Sequence, residues 1–107
     1  MLPRRSRLPA VDFRSMGYRT VRTPYFALKA KNNHTEVNRI GVITGVQVHK
    51  SAVKRNFWKR QAKAVLEGIP QSRKDILIIL TSKVNALTRA EFKKIVRSST
   101  AELISKT

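Results

Sequence analysis

The alternation of apolar and polar positions divides the chain into short segments of different period. Tyr25 to Lys31 (YFALKAK) places Phe26, Leu28 and Ala30 on one side and Tyr25, Ala27, Lys29 and Lys31 on the other. A period of two predicts a half-buried strand. Lys31-Asn32-Asn33-His34 then has the composition of a turn. Arg39 to Val46 (RIGVITGV) is apolar and β-branched and reads as a second strand, with Val21 in an earlier strand segment. Asp75 to Thr81 (DILIILT) is a continuous apolar run, which predicts a strand buried on both faces.

Three segments carry helical signals. A short helix is expected from Val11 to Met16, ended by Gly17. Ser51 is placed to cap a helix from Ala52 to Glu67, and Gly68-Ile69-Pro70 stops it. Thr88-Arg89-Ala90-Glu91 has the form of a capping box, and Phe92, Ile95, Val96, Ser99 and Leu103 follow at helical spacing as an inner stripe. The predicted order is α-β-β-β-α-β-α, an α+β fold. The 107 residues suit one domain with a thin core, preceded by an irregular basic segment over 1–10.

Charge changes this picture most. The chain has 23 Lys and Arg against 6 Asp and Glu, a net charge of +17. Such an excess repels itself in a compact state, so it calls for a polyanion, with nucleic acid as the first candidate. There are no cysteines, which rules out disulfides and thiolate metal sites. No apolar run reaches membrane-spanning length, and the basic start MLPRRSRLPAVDF lacks the apolar stretch of a secretory signal. The apolar helix faces are committed to a core, which argues against a membrane-surface role. A cytoplasmic protein is expected, and nothing in the sequence calls for an obligate protein partner.

The charge is densest in Val53-Lys54-Arg55-Asn56-Phe57-Trp58-Lys59-Arg60, inside the central helix. At 3.6 residues per turn, Trp58, Ala62, Val65, Leu66 and Ile69 share one side, which makes the tryptophan a core anchor. Asn56, Lys59, Arg60 and Lys63 form a second stripe pointing outward. Solvated charge is the usual fate of such a stripe. Here only Glu67 lies near enough to neutralise it, and an amide sits near the helix N-terminus, where backbone N–H groups favour phosphate. Phe57 is predicted to fall beside the stripe, away from Trp58, where it is either exposed for stacking on a base or packed against a neighbouring segment.

Taken in order, these pieces resemble the protein subunit of bacterial ribonuclease P, which removes 5′ leaders from precursor tRNA. The similarity runs from Leu2 to about Val96 through Arg7-Leu8, Asp12-Phe13, Tyr25-Phe26, Arg39-Ile40-Gly41-Val42, Val48 to Asn56 with Lys59-Arg60, and Asp75 to Ile79. The resemblance implies a mixed sheet with a left-handed βαβ crossover that carries the basic helix. It also implies two RNA surfaces. The basic helix would face the catalytic RNA and nearby metal ions, and a cleft between the first helix and the sheet would hold the single-stranded leader. Arg55, Asn56, Lys59, Arg60 and Lys63 match signature positions, and Phe13 and Phe26 match aromatic positions. With Arg7, Lys50, Lys54 and Phe57 these are the candidate RNA-binding residues. Partners implied are the catalytic RNA subunit and precursor tRNA, with Mg²⁺ bound mainly by the RNA. The chain departs from the family at Phe57, Val46 and Gln47, where basic residues are usual.

Other functions fit less well. A small ribosomal-type RNA-binding protein would share the composition but not the ordered motifs. A metal-dependent nuclease needs clustered carboxylates, whereas Asp12, Glu36, Glu67, Asp75, Glu91 and Glu102 are scattered. Metal-free cleavage could draw only on His34 and His49 as acid and base. No catalytic or metal-binding residues are expected in this chain; the endoribonuclease is expected to be the ribonucleoprotein, with catalysis in its RNA.

Overall fold

β-Branched and aromatic runs form four strands, β1 (Arg19–Arg22), β2 (Phe26–Asn32), β3 (Arg39–Ile43) and β4 (Lys74–Leu80). Two helices lie against them, α1 (Ala52–Glu67) and α2 (Arg89–Ser105), and a 3₁₀ turn spans Ser82–Ala86. The structure, a computed structural model, describes residues 6–9, 13 and 17–105. The helix expected over Val11 to Met16 lies outside the described residues, apart from Phe13.

The sheet order is β1-β2-β4-β3. β2 pairs antiparallel with β1 and β4, while β3 and β4 run parallel, so the sheet is mixed and α1 is the crossover between the parallel pair. Beyond β3, Arg7 bridges to Ile40, and the Leu8 N–H donates to the Ile40 carbonyl at 2.9 Å. Leu8 is buried and ties this segment to the sheet edge.

One sheet face carries the core. Phe26, Leu28 and Ala30 of β2, Ile40 of β3 and Ile76, Ile78 and Leu80 of β4 pack with Trp58, Ala62, Val65 and Leu66 of α1 and Phe92, Val96 and Leu103 of α2. β4 is buried on both faces almost throughout, as its uninterrupted apolar run requires. Strand β3 ends at Ile43, three residues short of the expected Val46, because the chain turns there: the Val48 N–H donates to the Gly45 carbonyl, and Val46 is left 73% exposed.

The helix caps follow the sequence. Ser51 precedes α1 with an extended backbone, and its hydroxyl accepts from the Lys54 N–H at 3.5 Å. The stop at Gly68 is real, but its φ of −79° is right-handed, so Pro70 and the tightened last turn end the helix. Before α2, the Thr88 hydroxyl accepts from the Glu91 N–H at 3.1 Å and Glu91 accepts from the Thr88 N–H at 2.9 Å.

Side-chain amides and one ion pair fasten the connections. Asn38 is 3% exposed; its Oδ1 accepts from the backbone N–H groups of Ser72 and Lys74, and its Nδ2 donates to the Pro70 carbonyl. Arg39 and Asp75, cross-strand neighbours, form a two-pronged pair with both N···O distances at 2.7 Å. Asn33 donates to the same carboxylate at 3.0 Å.

Candidate nucleic-acid interface

The two faces of α1 separate as the period predicts. Trp58, Ala62, Val65 and Leu66 are buried, and Ile69 packs against them. Trp58 is 4% exposed, and its indole N–H donates to Asn85 Oδ1 at 3.0 Å. Burying an indole requires such an acceptor. Asn85 in turn donates to the carbonyls of Val48 (2.7 Å) and Ser82 (2.9 Å). One amide therefore ties the tryptophan, the turn entering α1 and the 3₁₀ segment together. No short-range pattern marked Asn85, because its partners lie 27 and 37 residues away.

On the outer side, Asn56 and Arg60 are exposed and Lys59 and Lys63 half-buried. Arg7, from the segment beside β3, comes close enough to act on Lys63. Burial pushes the Lys63 ammonium below its ordinary pKa, Lys59 and Arg7 lower it further, and Glu67 opposes them. Cations from two separate parts of the chain are thus gathered at one place. Lys50 and Lys54 are exposed at the N-terminal end of the same helix.

Arg55 has an intramolecular task. Its Nη1 donates to the carbonyls of His49 (2.9 Å) and Lys50 (3.0 Å), while the Ser51 N–H donates to His49 Nδ1 at 2.9 Å. The guanidinium braces the turn that presents Lys50 and Lys54.

Two aromatic expectations need correction. Phe26 is 1% exposed and meets Phe92 edge-on at 6.1 Å, so it is a core residue and offers RNA no surface. Phe57 is half-buried, packs against the core and lies edge-on to Trp58 with ring centres 5.0 Å apart. It does not turn away from the tryptophan as an exposed stacking platform would.

Phe13 occupies the sheet face opposite the helices. Its ring lies against Gly41 of β3, where an added methyl would come within 2.6 Å of the ring and 3.2 Å of Leu77. Glycine at this position lets the ring lie this close, a matter of space rather than of backbone angle. The register puts Lys29 and Lys31 of β2 on this same face with Leu77 and Thr20. Lys31 Nζ sits 4.9 Å from the centre of the Tyr18 ring. Phe13 and Tyr18 are half-buried, so this face combines aromatic edges with cations.

His34 lies in the turn before β3 and His49 in the connection after it, at opposite ends of that strand, so they do not form an acid–base pair. Among the described residues, no three His, Asp or Glu side chains converge. None of the described helices is long and apolar enough to cross a membrane.

The fold has close counterparts among solved structures. Ribonuclease P protein from Thermotoga maritima, in complex with 1-(4-fluorophenyl)-2-thiourea, matches with a TM-score of 0.65 at 16% identity, covering 77% of this chain and 83% of that one. Ribonuclease P protein from Staphylococcus aureus matches with a TM-score of 0.65 at 20% identity over 82% of this chain and 79% of that one. A search of curated protein sequences returns no match. The family model for Ribonuclease P matches residues 3–106, nearly the full length. The chain therefore belongs to the Ribonuclease P family, whose members are components of an endoribonuclease holoenzyme in tRNA processing.

Proposed function

We propose that this chain is the RNA-binding subunit of ribonuclease P. It docks on a catalytic RNA through Asn56, Lys59, Arg60 and Lys63 of α1 with Arg7 beside them. It receives the single-stranded 5′ leader of precursor tRNA on the opposite sheet face at Phe13. The observation that carries this reading is the gathering of Arg7, Lys59 and Lys63, where burial first, and then the two neighbouring cations, hold the Lys63 ammonium below its ordinary pKa. Like charges kept together at a cost in the free protein are relieved by an anion, and a folded RNA supplies phosphates at high density.

The second surface suits a different ligand. Unpaired leader bases are free to stack on aromatic side chains, while Lys29 and Lys31 sit where phosphates follow. The chain's six Asp and Glu are scattered along the sequence among 23 Lys and Arg, a poor setting for a divalent cation. Mg²⁺ ligands are assigned to phosphate oxygens of the RNA partner, where bound ions would activate water for phosphodiester hydrolysis.

The test is reconstitution. Precursor tRNA is incubated with magnesium and RNA-free protein, RNA subunit, or both. Correct 5′ processing is expected with both, and from the RNA alone only at raised magnesium. Processing by RNA-free protein would overturn the division of labour. No processing by the pair, where the RNA folds, would overturn the functional reading.

A further inference from the structure

Helices α1 and α2 are in close contact through Trp58 and Phe92, whose ring centres are 5.2 Å apart. Further along both helices the contact opens into a groove of about 500 Å³. Ala64, Val65 and Gly68 line it from α1, and Arg97, Ala101 and Ile104 from α2. Ala64, Gly68 and Ala101 are exposed, so the aliphatic floor is open to solvent. The volume falls in the range of functional clefts.

One charged residue lines the groove, Arg97 of α2; Lys93 and Arg89 continue its line along the helix towards the Trp58–Phe92 contact. Arg89, Lys93 and Arg97 recur at i, i+4 and i+8, a single line along α2 that rises about 6 Å per step. None of the three forms an ion pair or hydrogen bond among the described residues. Glu91, the acid nearest in sequence, is engaged by Thr88. The stripe is separate from the α1 cations, which lie on the other flank of their helix.

The charges restrict the occupant. A second copy of this chain, at +17, would bring cations against cations. The chain's own ends are basic too, with Arg4 and Arg5 at one and Lys106 at the other. Nucleic acid would satisfy Arg89, Lys93 and Arg97 but leave an aliphatic floor uncovered, with no aromatic side chain in the groove for a base to stack on. We propose that this groove docks an acidic amphipathic helix of a protein partner. Leucine-like side chains at i and i+4 would enter beside Ala64 and Ala101, and carboxylates on the flank would meet Arg97 and Lys93. The groove lies on the flank of α1 away from Lys59 and Lys63, so the contact is separable from the proposed RNA docking.

The experiment uses the full chain, isotope-labelled for amide NMR, and a synthetic peptide of about 18 residues with leucines on one face and glutamates on its flanks. A second peptide keeps the glutamates but replaces every leucine by glutamine, and an RNA hairpin is the third probe. The leucine peptide should saturate, with shifts clustered at Ala64, Gly68, Ala101 and Ile104, and bind about tenfold more tightly than its leucine-free counterpart. Ala101→Trp, which fills the groove, and Arg97→Glu, which reverses its lining charge, should each weaken it about tenfold while precursor processing is unchanged. Equal affinity for both peptides, or shifts centred on Lys59 and Lys63, would reduce the effect to net charge and overturn the proposal. Groove-centred shifts from the RNA hairpin, lost in Ala101→Trp, would assign the face to nucleic acid and overturn it equally.

Discussion

Single side chains decide whether the proposed RNA surfaces have their shape. Asn85 is the acceptor for the buried Trp58 indole. Asn85→Leu removes that acceptor and both backbone tethers, and should cost about 1–3 kcal/mol in urea denaturation. In a Trp58→Phe background the same change should cost clearly less, since no indole N–H remains to satisfy. Gly41→Ala acts on the other face. The methyl would displace the Phe13 ring, so leader-bearing precursor should bind more weakly while mature tRNA is unaffected; equal losses for both ligands would make Phe13 a packing residue only. Lys63 yields a pH signature. Its pKa is depressed in the folded protein, so its charge disfavours the folded state until pH rises through the depressed value. The free protein therefore gains stability from Lys63 between that pH and the ordinary lysine range. A neighbouring phosphate restores the proton, so RNA binding in that window should take up a proton, as read by calorimetry in buffers of different ionisation enthalpy. Lys63→Met should abolish the uptake.

At the level of elements, periodicity and location diverge. The span and phase of α1 are legible because sixteen residues repeat one pattern several times over. The alternation in β2 groups Phe26 with Leu28 and Ala30, but alternation cannot say which face the helices cover. The facing of Phe26 therefore stays open in the sequence until α2 is seen against it. The Arg7–Lys59–Lys63 cluster is only partly legible: the helix spacing pairs Lys59 with Lys63, whereas Arg7 arrives through a bridge to Ile40. Asn38 and Asn85 left no local signal, since their partners sit about thirty residues away along the chain. The β3–β4 pair gives the element-scale prediction. Asp75 is 1% exposed and balanced by Arg39. Arg39→Ala strands a buried carboxylate and should cost about 3–5 kcal/mol, whereas replacing both residues by apolar ones should cost much less.

The whole molecule is governed by its +17 charge. Binding to RNA releases condensed counterions, one set for each phosphate neutralised. With about six phosphate contacts, affinity should fall on the order of a thousandfold between about 50 and 200 mM monovalent salt. A flat titration at fixed magnesium would contradict a polyanion partner. The same charge opposes folding of the free protein, so moderate salt should raise its unfolding midpoint while weakening its complex. Opposite responses of stability and affinity to one variable distinguish a self-repelling binder from a protein whose charges are paired.

The position of Asn85 has a consequence for synthesis. Ribosomes deliver the chain from its N-terminus, at roughly 5–20 residues per second. When residue 80 has just emerged, every cation of α1 is already outside. The indole of Trp58 has no acceptor yet, the Val48 carbonyl has no tether, and Phe92 has not appeared. A product stalled at that point displays the charge of the basic helix without the geometry that orients it. Commitment to the correct RNA is thus reserved for the completed polypeptide, and truncated products should behave as indiscriminate polycations.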